Sequence, residues 1–427
     1  MTNDNTARRA EYVNEVLPIL YPDPWRRDGS GAPGDDTAVR MIAVPNIRRP
    51  RLLVPANSPK VAAAALARYA RPPSRLARLK RDAAVLALRT GMSRLLLRDR
   101  ITVTTTDPDA DSLSGYLSGV LDTPLHISVH IGPARANRKP VVQLLTEHGQ
   151  TIAFAKIGVN PLTQRLVAEE TEALQRLAKA ELVKVTVPGV RHAGVWREHQ
   201  VLVQQALPIW TDRVAVAPGR LAEAMREIAT LEGVHNRRLD ESDYLATLRD
   251  RIDALDDTAD ARELRAAAVE LLDAAAGERV TFGAWHGDWT PWNMAMLADT
   301  CLVWDWERFC LEAPVGFDAL HYRLQHDIVI ARRDPSAAVD HCINKAGALL
   351  APFFPANPAP APARLARLTA LLYLIDLATR YLTDRQAEAG ARLGALGTWL
   401  LPVLVRRVAA FATPDADVVG PTSPEGN

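Results

Sequence analysis

The sequence predicts an α+β fold with two lobes, in which a lobe of antiparallel strands precedes a lobe built mainly of helices. Three observations favour this fold class. The chain has 427 residues, which is more than one typical domain contains. Short apolar runs with the periodicity of strands occur between residues 125 and 204. Long runs with helical periodicity dominate from about residue 220 onward.

Composition restricts the class of protein further. The net charge of +1 gives the chain no overall attraction to nucleic acid, and the three cysteines show neither a metal-binding nor a disulfide spacing. The polar N-terminus lacks the apolar core of a signal peptide. No apolar run reaches the roughly 20 residues that a membrane-spanning helix needs. We therefore expect a cytoplasmic protein without a membrane span.

The first 120 residues are expected to form two regions. Residues 1–44 are predicted to be a flexible N-terminus, because turn-forming residues cluster at 21–24 and 28–36. Residues 45–120 contain strand and helix candidates, but too few large apolar side chains for a stable core of their own. We predict that this segment is an α/β extension packed on the lobe that follows it.

The extension is strongly basic. Residues 51–100 contain twelve Lys and Arg residues against two Asp and Glu residues, a local net charge of +10. Such a surface is typical of segments that bind anionic lipid, nucleic acid or a phosphorylated partner. The apolar residues between the charges are mostly alanines, however, which favours a solvated helix without a binding role.

The predicted strand-rich N-lobe covers residues 121–208. Its first strands are expected to be antiparallel neighbours, because short polar segments connect them. The strand candidates lie at residues 125–132, 140–145, 151–157, 185–190 and 200–204.

Lys156 of this lobe is expected to have an anionic partner. Lys156 shares a strand face with the apolar residues two and four positions before it. A lysine on a buried face is costly unless an anion lies beside it. The helix that begins at Pro161 offers one, since Glu170 falls among its inward-facing positions, with Glu169 as the alternative.

Residues 209–412 are predicted to form an α-rich C-lobe and residues 413–427 a disordered tail. Helical periodicity accounts for most of the C-lobe, with candidate helices at residues 221–231, 243–255, 260–275, 336–354, 363–388 and 391–411.

A polar motif lies between these helices, at residues 281–309. Asp288 closes a His-Gly-Asp triplet, Asn293 lies five residues later, and Asp305 follows a second apolar run. The apolar runs predict a hairpin with its turn at 298–300, which would place Asn293 opposite Asp305. An amide oxygen and a carboxylate so placed suit Mg²⁺, and Asp288 suits a base acting on a hydroxyl beside the metal.

An alternative is a buried hairpin with incidental polar residues, because five of the nine tryptophans fall between residues 285 and 306. The His-x-Asp-x4-Asn spacing is uncommon by chance, which favours the functional interpretation. His286 is predicted to brace the loop through packing and hydrogen bonds. His235, His321 and His326 have no metal-ligand spacing and are interpreted as satisfied or surface histidines.

The segments HGDWTPWN, VWDWE and IAFAK resemble the catalytic, metal-binding and third-strand segments of the aminoglycoside phosphotransferase-like kinases. These are small-molecule kinases of the protein-kinase-like superfamily. The resemblance implies a bilobal protein-kinase-like fold that uses ATP and Mg²⁺, with the hinge between its lobes at Leu207-Pro208. It implies Asp288 as the catalytic base and Asn293 and Asp305 as metal ligands. It also implies that Lys156 binds the ATP phosphates and pairs with Glu170.

The first strand-connecting loop departs from the protein-kinase pattern, since it has Gly132 instead of a run of three glycines. The resemblance implies that Gly132 and the backbone amides of residues 133–139 approach the nucleotide phosphates. Arg135, Arg138 and Lys139 are candidates to assist them. The phosphate cradle itself stays undefined by the sequence.

The predicted function is transfer of the γ-phosphate of ATP to a hydroxyl of a small molecule of aminoglycoside, sugar or amino alcohol type. The resemblance also implies Asp318 as a brace of the catalytic loop. A protein or peptide kinase is an alternative, disfavoured because no Arg lies between His286 and Asp288 and no Ala-Pro-Glu segment follows Asp305. The second alternative is a catalytically silent kinase-fold binding protein. It is disfavoured because the motif residues are all present.

Overall fold

The computed structural model describes residues 2–28, 38–69, 75–92, 97–354, 363–391 and 393–413. They form two compact units, each assembled from three stretches of chain. The first unit consists of Met1–Ala215, Ala295–Arg308 and Glu388–Ala391. The second consists of Val216–Met294, Phe309–Ala387 and Arg392–Asn427. The first is rich in strands and the second in helices, which confirms the predicted α+β class.

A nine-stranded antiparallel sheet forms the centre of the first unit. Its strands follow the order β1-β4-β2-β3-β5-β6-β7-β10-β9. The strands before residue 210 are β1 (Arg26–Asp28), β2 (Val39–Val44), β3 (Leu52–Pro55), β4 (Arg100–Thr104), β5 (His126–His130), β6 (Val141–Leu145), β7 (Thr151–Gly158), β8 (Val185–Thr186), β9 (Val190–Trp196) and β10 (His199–Gln205).

The basic extension and the predicted N-lobe share this sheet. Strand β3 pairs with β5, with Leu52 opposite His130 and Leu53 opposite Val129. On one face of the sheet, apolar side chains of the extension share a core with the N-lobe strands. On the other face they pack with the helix Pro59–Tyr69 in a second core that lies mostly within the extension. The helices of this unit are α1 (Thr2–Leu20), α2 (Pro59–Tyr69), α3 (Arg75–Arg89), α4 (Leu113–Val120) and α5 (Pro161–Leu177).

Helix α1 corrects one prediction. Residues 1–44 were expected to be a flexible N-terminus, whereas residues 2–20 form a helix and residues 26–28 and 39–44 form strands. Val13, Val16 and Leu20 recur at helical spacing and are fully buried against the sheet. Packing against a distant partner therefore outweighs the polar local composition. Three predictions fall partly or wholly outside the described residues. They are the tail after residue 413, the start of the strand expected at residue 95 and the start of the helix expected at residue 74.

The second unit is built around a long buried helix. Residues 368–379 of helix α12 (Ala363–Thr383) are all buried, so every face of this part of the helix packs against other elements. The helices are α6 (Pro218–Ala229), α7 (Asp243–Asp253), α8 (Ala259–Ala274), α9 (Phe317–Gln325), α10 (Pro335–Asn344), α11 (Ala346–Leu350), α12 (Ala363–Thr383) and α13 (Leu401–Ala412). A small antiparallel sheet contains β11 (His235–Arg238), β12 (Arg279–Trp285) and β15 (Cys310–Pro314).

The predicted hairpin is confirmed. Strands β13 (Met294–Met296) and β14 (Cys301–Val303) are neighbours in one sheet, and the amide of Leu297 donates to the carbonyl of Thr300 at 2.8 Å. Strand β14 also pairs in parallel with β8. Across the described residues, no helix combines the length and apolar character that crossing a bilayer requires.

Candidate functional site

The first unit contains a buried lysine on strand β7. Lys156 is 3% exposed, and its Nζ lies 2.6 Å from Oε1 and 2.8 Å from Oε2 of Glu170, which is fully buried on α5. Asn160 caps this helix by accepting from the amide of Thr163 at 2.9 Å, which fixes where the helix begins. The cap thereby sets the rotation that turns Glu170 inward. Glu169, the alternative, faces outward, 3.6 Å from Arg165.

Asp305 completes this charge cluster. It follows β14 in a left-handed conformation with φ of 66°, an uncommon conformation that Asp tolerates better than most residues. Its Oδ1 accepts a hydrogen bond from Lys156 Nζ, while its side chain is 39% exposed. The amide of Trp306, the next residue, donates to Oε1 of Glu170 at 3.3 Å. The lysine thus joins a fully buried carboxylate to one that reaches solvent.

The charges around Lys156 decide its protonation. Burial alone would lower the pKa of this lysine, because it penalises the charged form. The carboxylates of Asp305, Glu170 and Glu307 outweigh that penalty and raise the pKa of Lys156 above its ordinary value. Lys156 is therefore a permanent cation at any physiological pH.

Glu307 anchors the loop between β5 and β6. It is buried, two residues after Asp305, and accepts from Asn137 Nδ2 at 3.0 Å and from Lys139 Nζ. Burial by itself would raise the pKa of Glu307, but Lys139, Arg308 and Lys156 lower it to about 2. Both loop side chains are thus fixed to an ionised carboxylate.

The same loop is held from its other side by helix α1. The guanidinium of Arg138 lies 3.8 Å from the centre of the Tyr12 ring, and its Nη2 lies 3.4 Å from Oε2 of Glu15. A Cβ added to Gly132 would meet no atom within 4 Å. Steric requirements therefore do not explain a glycine at that position. The loop lacks the three glycines of the protein-kinase pattern, and side-chain contacts hold it in position.

The second unit contains Asp288, in the loop that follows β12. Its Oδ2 accepts from Asn293 Nδ2 at 2.9 Å, and its Oδ1 lies 2.9 Å from Nε2 of His321. The side chain of Asp288 remains 35% exposed. Because Asn293 donates through Nδ2, its Oδ1 points elsewhere and accepts no hydrogen bond from any described residue.

Asp318 braces the backbone of this loop. Its carboxylate accepts from the amide of His286 at 2.8 Å and from that of Gly287 at 3.2 Å. His286 in turn accepts at Nδ1 from the amide of Asp288 at 3.0 Å, and Arg380 donates to the carbonyl of Gly287 at 2.6 Å. Asp318 and His286 thus make the bracing contacts that the sequence led us to expect.

The two aspartates of this unit titrate in opposite directions. Burial raises the pKa of Asp318 to about 7, against the two backbone donors that favour its ionised form. Burial would also raise the pKa of Asp288, but the hydrogen bond from His321 and the nearby charges hold it below its usual range. Asp288 is consequently ionised at neutral pH.

The interpretation of His321 as a satisfied histidine is confirmed, but its contact with Asp288 was not predicted from the sequence. His321 lies on α9, is 1% exposed, and bonds Asp288 through Nε2 and the hydroxyl of Tyr373 through Nδ1, both at 2.9 Å. It is a satisfied histidine, as interpreted, but one that contacts the candidate base. Its spacing of three residues from Asp318 places both on one helix face, which is the signal that could have identified it.

The contacts of His321 define its tautomer. Burial lowers its pKa, so the imidazole is neutral and has a single N–H. Ionised Asp288 can only accept, which places that hydrogen on Nε2. Nδ1 is then an acceptor, and Tyr373 donates to it, since burial raises the pKa of this tyrosine well above 10. The direction of donation therefore runs from Tyr373 through His321 to Asp288.

The predicted site residues divide between the units. Lys156, Glu170, Gly132 and Asp305 belong to the first, whereas Asp288 and Asn293 belong to the second. No cluster of three or more His, Cys, Asp or Glu side chains suited to a metal ion occurs among the described residues. The amide oxygen of Asn293 and the part-exposed carboxylate of Asp305 are donors of the type that Mg²⁺ accepts when nucleotide phosphates supply the rest.

No family model and no curated protein matches the chain. A choline/ethanolamine kinase family protein from Mesorhizobium loti is 15% identical with a TM-score of 0.40, over 66% of this chain and 89% of that one. A putative fructosamine-3-kinase from Thermobifida fusca is 16% identical with a TM-score of 0.40, over 70% and 99%.

The aminoglycoside phosphotransferase APH(4)-Ia is 13% identical with a TM-score of 0.42, over 70% of this chain and 96% of that one. All three are structures of the protein-kinase-like superfamily, the superfamily that the sequence motifs resemble. At these identities and TM-scores, what the chain does has to be argued from its own residues.

Proposed function

We propose that this protein is an ATP- and Mg²⁺-dependent phosphotransferase that moves the γ-phosphoryl group of ATP to a hydroxyl of a small molecule. The observation that carries the proposal is the buried pair of Lys156 and Glu170, with Nζ and Oε1 2.6 Å apart. A lysine kept cationic beside a helix carboxylate is the device that kinases use to bind nucleotide phosphates. The acceptor would be of the aminoglycoside, sugar or amino alcohol type.

Each residue of the first unit would have a separate task toward the nucleotide. Lys156 would exchange its hydrogen bond to Asp305 for one to a phosphate oxygen when the nucleotide binds, and Glu170 would hold it in place. The loop between β5 and β6 would present backbone amides to the phosphates, while Glu307 and helix α1 keep that loop in position. Arg138 and Lys139 make these holding contacts, so in this proposal they act on the loop instead of on the phosphates.

Two residues would hold the metal ion. Asn293 would offer Oδ1 and Asp305 its carboxylate, a proposal that rests on their donor types and their order in the motif. Bound Mg²⁺ would neutralise charge on the phosphates.

Asp288 would orient the acceptor hydroxyl. An ionised carboxylate has about four lone-pair sites, and Asn293 and His321 occupy one on each oxygen. A further site can therefore accept the substrate O–H. With its pKa held low, Asp288 is a weak base and would take the proton late. A loose transition state permits this, since the attacking oxygen keeps its proton until bonding to phosphorus is well advanced.

An ATP-consumption screen across sugars, amino alcohols and aminoglycosides tests the proposal, with Mg²⁺ present and absent. We expect one class of alcohol to stimulate ATP consumption. In the Asp288→Asn variant, turnover should fall about 100- to 10,000-fold while ATP affinity stays nearly constant, because the orienting carboxylate is lost. Unchanged turnover in this variant would refute the assignment of Asp288.

A further inference from the structure

Helix α3 presents its large apolar side chains to solvent. Leu76, Leu79 and Leu86 are 60%, 66% and 61% exposed, whereas Ala87 and Leu88 are buried. The alanines that made this helix look weakly apolar in the sequence lie partly on its inner face. The outer face is therefore more apolar than the sequence suggested.

The three exposed leucines, here called the leucine stripe, lie along one side of the helix. Their spacings of three and seven residues keep them within an arc of about 80° at 3.6 residues per turn. Met92, just beyond the helix, is a further large apolar side chain with 52% exposure. Single exposed apolar side chains are ordinary on a protein surface, but a row of them at helical spacing marks a contact face.

Positive charge surrounds the leucine stripe. The one acidic residue of α3, Asp82, is neutralised by its neighbour Arg81 at 2.8 Å. The remaining basic residues of the helix pair with no acidic group among the described residues; they are Arg75, Arg78, Lys80 and Arg89.

A basic cavity of about 410 Å³ adjoins this helix. It is lined by Lys60 and Arg68 of α2, Arg89 of α3, and His148 and Gly149 of the turn between β6 and β7, with Ala64 and without any carboxylate. Arg89 lies one helical turn from Leu86, so the cavity and the leucine stripe are continuous along α3. A phosphate group is the anion that such a set of donors suits.

We propose that α3 and the basic cavity form a docking surface for a membrane that contains anionic phospholipid. The cavity would receive a lipid phosphate, the flanking arginines would be attracted to the surface charge, and the leucine stripe would enter the interfacial layer. Nucleic acid offers phosphates but no apolar phase for three leucines. A bilayer offers both, which is why the observations favour it. The proposal does not depend on the phosphotransferase activity.

Co-sedimentation of the full chain with vesicles tests this proposal. We expect binding to an equal mixture of phosphatidylcholine and phosphatidylglycerol, weakening as salt increases, and little binding to phosphatidylcholine alone. Leu79→Ser should weaken vesicle binding about tenfold, because an inserted leucine is replaced by a polar group. Val269→Ser is the matched control: Val269 is 60% exposed on α8 of the second unit, and its replacement should leave binding unchanged.

The contribution of the cavity is measured with Arg89→Gln. This variant should also bind anionic vesicles more weakly than wild type does. Soluble glycerol phosphate should bind the wild-type protein more weakly than anionic vesicles do. Three results would overturn the proposal. The first is the absence of binding to anionic vesicles at low salt. The second is equal vesicle binding by wild type and Leu79→Ser. The third is tighter binding of wild type to duplex DNA or an acidic peptide than to vesicles.

Discussion

The two units hold the carboxylates of the candidate site by different physical means. In the first, Glu170, Asp305 and Glu307 are matched by the lysines Lys139 and Lys156 in a network of ion pairs. In the second, Asp288 and Asp318 are held by backbone amides, an amide side chain and a neutral imidazole. The first arrangement depends on charge balance and the second on the placement of donors. Changes of charge should therefore damage the first unit most, and changes of donor geometry the second.

The largest effect is expected at Asp305. Asp305→Ala should abolish Mg²⁺-dependent nucleotide binding, because it removes the carboxylate proposed to bind the metal and one partner of Lys156. Asn293→Ala should weaken that binding less, since an amide contributes no charge. Calorimetry with ATP at several Mg²⁺ concentrations measures both. An Asp305 variant with the Mg²⁺-ATP affinity of wild type would show that the metal assignment is wrong.

Stability should respond next, at the fully buried Glu170. Glu170→Ala should lower the free energy of unfolding by about 3 to 5 kcal/mol, because it removes one partner of a buried ion pair and leaves Lys156 with Asp305 alone. Glu169→Ala is the control, since that neighbour faces solvent and should change stability by less than about 0.5 kcal/mol. Urea denaturation of both variants decides the comparison. Similar losses in the two would contradict the special position of Glu170.

The pH dependence of stability should separate the two aspartates of the second unit. The pKa of Asp318 rises on folding from 3.8 to about 7. The folded state then binds more protons than the unfolded state. The stabilisation that Asp318 contributes to the free energy of unfolding is therefore complete below pH 4 and is lost as the pH rises toward 7. The loss should be up to about 1.4 kcal/mol per pH unit. The pKa of Asp288 is lowered in the folded state, so the stabilisation that it contributes is lost as the pH falls through the acidic range.

Urea titrations of wild type and Asp318→Asn between pH 4 and 8 measure this contribution. The asparagine variant should be less stable overall, since it cannot accept both backbone amides, and its stability should decline less with rising pH. A variant whose pH profile runs parallel to that of wild type would show that Asp318 does not change protonation in this range.

The smallest effects are expected in the chain of donors behind Asp288. His321→Phe should lower kcat about tenfold, because a hydrogen bond to an ionised group is lost. It should also shift the acidic limb of the pH profile upward, since His321 helps to keep the pKa of Asp288 low. Tyr373→Phe should cost only about threefold, because it releases the tautomer of His321 but leaves the ring in place.

A merely structural role for His321 would leave the pH profile where it is. His321→Gln, which retains a donor toward Asp288, should restore part of the activity and of the profile. Failure of glutamine to perform better than phenylalanine would count against a positioning role.

The residues that could be predicted from the sequence are those fixed by local periodicity. The hairpin of β13 and β14, the strand position of Lys156 and the inward direction of Glu170 each follow from their nearest neighbours along the chain. The anchoring role of Glu307 could not be predicted, because it depends on Asn137, 170 residues away. Helix α1 was missed for the same reason: its turn-rich surroundings suggested a loop, and its burial comes entirely from tertiary packing.

Helix α1 also has a consequence for the order of folding. Nη1 of Arg8 donates to the carbonyl of Ala389 at 3.0 Å, a contact across 381 residues of sequence. Gly390 permits it, since a Cβ there would lie 2.1 Å from the same nitrogen. A ribosome that adds about 5 to 20 residues per second needs roughly 20 to 80 s to synthesise that interval. The first unit is therefore completed only after most of the second has been synthesised, and α1 lacks this partner until then.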